Sequence, residues 1–242
     1  MDHRGFDDMS LTPGTASESA ERYVRALIFW GELGPGDRLP PATELAASLG
    51  ISRVTLRLAL RSLETAGYLV TTRGAHGGSR VSDVQALQRC WVQWMTAHGG
   101  ELDDIFEFRV TIERRLAELA AERRTPDDLE AMERALADEQ DNRRRTSLFR
   151  ADAGIHRSIA AAAHSPRLAL AMNAVRADLF LPVEQELLDR TEDEVFATHE
   201  QIVAAIRAGD PELASRAATM HVLRVRELVA RALEACGIPT RA

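Results

Sequence analysis

Asp152 and His156 stand four residues apart and share a helical face with Ile155 and Ile159, so a carboxylate and an imidazole project the same way from successive turns. His199 falls on the stripe of Ile202, Val203 and Ile206, and His221 on that of Ala217, Val225 and Leu228. A lone inward histidine is ordinarily a hydrogen-bonded core residue. An Asp/His pair joined by two further inward histidines on other helices adds a second reading, a metal site. Four such groups left unpaired in an apolar interior carry a steep desolvation cost, which a divalent cation bound to all of them would offset. Three nitrogens and one oxygen suit zinc, while nickel, cobalt or manganese fit the same set if water or a ligand fills further positions. Arg109 shares a face with Ile105, Ile112 and Leu116. Its guanidinium either enters the interior and meets an anion, or pairs with Glu113 one turn on.

A second constellation suits DNA. Arg53, Arg57 and Arg61 recur every four residues while Leu56, Leu60 and Leu63 form the opposite, apolar stripe, and Ser52 supplies the helix cap. Residues 51–80 hold five arginines against Glu64 alone, although the whole chain carries a net charge of −7. The acidity lies elsewhere: nine arginines balance nine acids over residues 1–82, whereas 21 arginines face 28 acids in residues 83–242. All 30 basic residues are arginine. The turn Leu49-Gly50-Ile51-Ser52 lets one helix cross behind the next, which brings Arg53, Thr55 and Arg57 toward base edges in a major groove. Arg73, His76 and Gly77, in a glycine-rich hairpin, reach the neighbouring backbone or minor groove. An arginine stripe by itself reads as a solvated face. The order helix, turn, arginine-rich helix and glycine-rich hairpin is what favours a winged helix-turn-helix.

The elements that must position these groups divide the chain. Residues 1–17 form a polar, flexible tail without the apolar stretch of an export signal, and no later segment is long and charge-free enough to cross a bilayer. A soluble cytoplasmic protein is expected. A first helix is expected over residues 20–30, a second from near Pro41, a third after Ser52, then strands over 68–72 and 79–81 around Gly74–Gly78. This compact unit spans residues 18–82. Beyond Ser82 nearly everything is helical: helices over 84–98, 102–124, 126–143, 147–163, 166–188, 193–208 and 211–236, broken at Gly99-Gly100, Thr125-Pro126, Ser165-Pro166 and Gly209-Asp210-Pro211. The second domain is thus an all-α bundle over residues 83–236, followed by a tail over 237–242, and the fold class is mainly α with a small β-hairpin wing. Cys90 and Cys236 have no Cys-x-x-Cys partner and read as reduced, inert packing residues.

Residues 19–82 resemble the GntR family winged helix-turn-helix. The resemblance is carried by Gly31-Glu32-Leu33-Gly34-Pro35-Gly36-Asp37-Arg38-Leu39-Pro40, Glu44-Leu45-Ala46, Leu49-Gly50-Ile51-Ser52-Arg53, Thr55-Leu56-Arg57 and Ala59-Leu60. It implies a homodimer on double-stranded operator DNA, with Arg53 and Arg57 in the contacting positions. Two departures are Leu58, where the family often has Glu, and Thr43, where relatives often carry Arg. Residues 85–234 resemble the FCD ligand-binding domain of the FadR subfamily, whose Asp-x-x-x-His pattern matches Asp152 and His156 and whose later histidines match His199 and His221. This implies a metal ion, zinc first, and a small organic acid whose carboxylate is held by the residue matching Arg109. Ile155 and His164-Ser165 depart from the pattern near that pocket; His164, at a helix end, reads as a cap. The expectation is a regulator, a repressor first, and not an enzyme. The alternatives are a metal-dependent hydrolase joined to a DNA-binding module and a metal-free acyl-CoA-type sensor.

Overall fold

A computed structural model describes residues 15–29, 32–72, 74, 77–98, 102–142, 148–178, 192–235 and 237. Helix α1, Ala16–Phe29, opens the N-terminal head. It starts four residues earlier than its apolar periodicity suggests because Thr15 and Glu18 form a reciprocal capping box. Thr15 N–H donates to Glu18 Oε2 at 2.7 Å, and Glu18 N–H to Thr15 Oγ1 at 3.3 Å. Helix α2, Ala42–Ser48, buries Leu45 and Ala46. Gly50 follows with φ +63°, a left-handed turn that ends α2 and admits α3, Arg53–Thr65. Ser52 Oγ accepts from Thr55 N–H at 3.0 Å, capping α3, whose buried side holds Leu56, Ala59 and Leu63.

Strands β1, Leu69–Thr72, and β2, Gly78–Val81, pair antiparallel with Leu69 opposite Val81, forming the wing. The stretch after α1 braces its outer edge: Leu39 N–H donates to Ser79 O at 3.0 Å, Val81 N–H to Asp37 O at 2.9 Å, and the Arg38 guanidinium to Gly77 O.

The body comprises α4 (Val84–His98), α5 (Leu102–Arg123), α6 (Pro126–Asn142), α7 (Leu148–Ala162), α8 (Pro166–Asp178), α9 (Glu192–Ala208) and α10 (Pro211–Ala235). The remainder of the helix expected over 166–188 lies outside the described residues. Three of the described helices begin at proline, where a missing N–H costs nothing, and α6 adds a second capping box in which Thr125 N–H donates to Asp128 Oδ2 at 2.8 Å. Helix α10 packs along α5 and α9, and α6 along α7. Much of their shared core is alanine: Ala117, Ala120, Ala121, Ala162, Ala217 and Ala218 are buried. Small side chains let helix axes approach, so groups from several helices reach one point.

Head and body share a hydrophobic cluster in which Leu87, Cys90 and Trp91 of α4 join residues of α1, α3 and α5. Cys90 donates through Sγ to Ala66 O at 2.9 Å, and burial pushes its thiol up from the ordinary value, so it stays protonated in the core, while Cys236 lies outside the described residues. Among the described residues no helix is long and apolar enough to cross a membrane.

Candidate functional site

Helix α7 contributes Asp152 and His156, α9 contributes Thr198 and His199, and α10 contributes His221. The three imidazoles are buried, with ring centroids 4.4 to 5.0 Å apart. Each offers a ligand nitrogen within 4.8 Å of the others'. His156 Nε2 and His199 Nε2 are 3.2 Å apart, and Asp152 Oδ1 lies 3.8 Å from each of them. Of the four residues singled out by helical spacing, the three histidines form one buried group, while Asp152, its side chain 32% exposed, approaches it through His156 and His199.

Their outer nitrogens determine what the inner ones can do. The Thr198 hydroxyl donates to Val195 O at 2.5 Å, so its oxygen is left to accept from His221 Nδ1 at 2.9 Å. His199 Nδ1 lies 2.9 and 3.0 Å from the two oxygens of Glu139, and His156 Nδ1 lies 3.3 Å from Glu113 Oε2. Carboxylates accept, so both nitrogens carry the proton. All three rings thereby turn Nε2 inward, where His156 Nε2 and His199 Nε2 lie within hydrogen-bond distance of each other. His221 Nε2 is buried with no hydrogen-bond partner among the described atoms. Burial, followed by repulsion from His199 and His156, holds the His221 imidazole well below its ordinary pKa of 6.5, hence neutral.

Glu113, Glu139 and Thr198 were not singled out as site residues by the sequence reading. Glu139 had a legible signal, since it continues the apolar row of Leu129, Met132 and Leu136 at helical spacing. Arg109, expected to meet an anion, is buried and gives its Nε to Glu113 Oε1 at 2.6 Å, the pairing weighed beside an external acid. Glu113 thus ties the guanidinium to His156. A narrow pocket beside His156 has Glu113 and His156 on its polar side and Leu116, Ile159, Met172 and Ile202 on its apolar side; Arg109 does not line it but pairs with Glu113, which does. His164 stands apart, with φ +47° at the end of α7 and Nε2 3.0 Å from Asp128 Oδ2, in keeping with a role at a helix terminus.

On the head, Arg53, Arg57 and Arg61 are exposed along α3, and Arg38 and Arg80 are exposed beside the wing. Thr55 is half-buried with Oγ1 2.8 Å from Ser52 Oγ, so it secures the start of α3 as well as facing outward. Gly77 N–H closes a turn onto Gly74 O at 2.9 Å. Arg73 and His76 lie outside the described residues.

Comparison with known proteins matches residues 16–78 to the family described as bacterial regulatory proteins, gntR family, and residues 104–224 to the FCD domain. The putative L-lactate dehydrogenase operon regulatory protein of Escherichia coli is 30% identical, over 92% of this chain and 90% of its own. The uncharacterized HTH-type transcriptional regulator YcbG of Bacillus subtilis is 27% identical over 96% of this chain and 99% of its own. Among solved structures, E. coli McbR/YncC shares the fold, with a TM-score of 0.53 at 20% identity over 90% of this chain and 99% of that one.

Proposed function

This chain belongs to the GntR family of transcriptional regulators and carries an FCD domain behind its helix-turn-helix; on that premise we propose that a divalent metal ion and a small carboxylate effector, bound together in the body, set its affinity for operator DNA. The observation that carries the metal is the orphaned, buried His221 Nε2, grouped with nitrogens of His156 and His199, two rings that Asp152 Oδ1 in turn approaches to 3.8 Å. No donor meets His221 Nε2 among the described atoms, and a cation would satisfy it together with its neighbours. The charges agree: Glu113, paired with Arg109, and Glu139 and Asp152, beside His199, make three carboxylates to one guanidinium, so with neutral imidazoles the described cluster carries an excess of two negative charges, the complement of a divalent ion. Asp152, His156, His199 and His221 would hold it, and nitrogen-rich ligation ranks zinc first, with nickel, cobalt or manganese as the other fits.

When bound, the ion would supply a positive, Lewis-acidic point beside the pocket. An organic acid is the complementary ligand, and its carboxylate reaches Arg109 by sharing or displacing Glu113. Because Glu113 also orients His156, occupancy of the pocket is coupled to the shape of the cluster and, through α5 and the shared core, to the head. The effector acts only in so far as it binds one arrangement of the two heads of a cytoplasmic homodimer better than another. Glu113 and Glu139 are already committed to Arg109, His156 and His199, which favours sensing over a hydrolase needing a general base.

The test is gel retardation of the DNA adjoining the protein's own coding region, across a panel of 2-hydroxy and dicarboxylic acids, before and after chelation. An acid that changes the retardation only in metal-loaded protein is the expected result. Retardation indifferent to every acid and to chelation would sink the sensing role while leaving DNA binding intact.

A further inference from the structure

The arginines on α3 leave a second outward row unexplained. Val54 is 67% exposed and Leu58 56% exposed, one turn apart. At about 100° per residue, the buried Leu56, Ala59 and Leu63 define the inner side of α3, and the line opposite them runs between the arginine row and the row of Val54 and Leu58. The outermost surface of this helix is thus a cationic strip beside an apolar strip. Isolated exposed apolar residues are common and need no account. A β-branched residue and a leucine stacked on the projecting face of a short, capped, arginine-bearing helix form a surface shaped for something with the same two chemistries.

The major groove of DNA offers both. Its rim is phosphate, its guanines present acceptors for arginine, and its one apolar group is the C5-methyl of thymine. We propose that Val54 and Leu58 read thymine methyl groups, making them specificity-determining residues alongside Arg53 and Arg57. The inference rests on α3 being the groove-facing helix. On α3 itself little opposes it, since its only acid is Glu64, near its end, which accepts from Thr71 N–H at 3.3 Å. Each operator half-site should then carry thymine next to an arginine-contacted base. Burying one methyl group in such a contact is worth about fourfold in affinity.

The experiment uses the full chain and a duplex selected by it from a random-sequence pool. Each thymine in that duplex is replaced in turn by deoxyuridine, which removes the methyl and nothing else. Wild-type protein should bind about fourfold more weakly at one or two positions per half-site, and at those positions Val54→Ala or Leu58→Ala should bind the thymine and uracil duplexes equally. Both residues are exposed, so these variants should melt like wild type. Affinity unmoved at every uracil position, or an undiminished thymine preference in both variants, overturns the proposal. Arg57→Ala separates the two levels: if it loses binding while uracil is silent, only the methyl reading fails; if it binds like wild type, α3 is not the reading helix and both fail.

Discussion

The neutral His221 imidazole sits where a proton cannot follow it. Burial and two neighbouring imidazoles hold its pKa below 6.5, whereas in the unfolded chain it titrates at the ordinary value. Below that value the unfolded state binds more protons, so stability is complete above about pH 6.5 and declines as pH falls, by at most about 1.4 kcal/mol per unit for a single group. Urea denaturation of metal-free protein should show this decline between roughly pH 6.5 and 5, and His221→Leu should reduce it; equal slopes in the two proteins would show that the imidazole is not shielded. Glu139→Gln keeps an acceptor near His199 but removes the charge that makes the ring a strong donor. It should weaken metal binding roughly 10- to 100-fold in competition with a chelating dye while the metal-free protein melts normally. The four inner groups were legible because Asp, His, His and His interrupt apolar stripes at helical spacing. Glu113 sits in a helix rich in surface acids, where one carboxylate among many gives no local sign of being turned inward, whereas Glu139 could have been read from the apolar row it extends. Thr198 was illegible for a different reason: a threonine beside a histidine becomes informative only once α10 is known to lie against α9.

At the scale of elements, boundaries rest on caps and positive-φ turns. Ser52→Ala removes the acceptor of Thr55 N–H and should cost about 1 kcal/mol, lowering the melting temperature by roughly 2–4 °C and weakening DNA binding as the start of α3 frays. Gly209 has φ +69°, and a Cβ there would lie 2.6 Å from Arg124 Nη2. That guanidinium ties the end of α5 to the end of α9 through Ala121 O at 2.7 Å and Arg207 O at 3.3 Å, so displacing it loses both. Gly209→Ala should destabilise by roughly 1–2 kcal/mol for the backbone alone, read from chemical denaturation. The Gly209-Asp210-Pro211 break and the hairpin between β1 and β2 were plain in the sequence because glycine and proline punctuate the backbone directly. The start of α1 was missed because Thr15 and Glu18 lie in a polar segment, where a capping box is overshadowed by the absence of apolar periodicity.

Across the whole molecule, charge is segregated: the arginines of α3 belong to a head of balanced charge, and the acidity to the body. This orients the head toward a polyanion and keeps the body away from it. DNA affinity should therefore fall steeply as salt rises, and Arg61→Ala should flatten the log–log slope by about one if Arg61 meets a phosphate. Periodicity reveals which face of a helix is buried but not what covers it, so the core joining α4 to α1, α3 and α5 was not legible, although under the proposed function it would be the physical link between sensing and reading. That link matters only if the body holds an ion to respond around. The most direct measurement is elemental analysis of the full-length protein, purified without chelators and dialysed against metal-free buffer, beside a folded His156→Ala, His221→Ala double variant. About one divalent ion per chain is expected in the wild type and little in the variant. Wild-type protein that holds no metal and takes up none from added zinc, or a variant that retains as much as wild type, would contradict it.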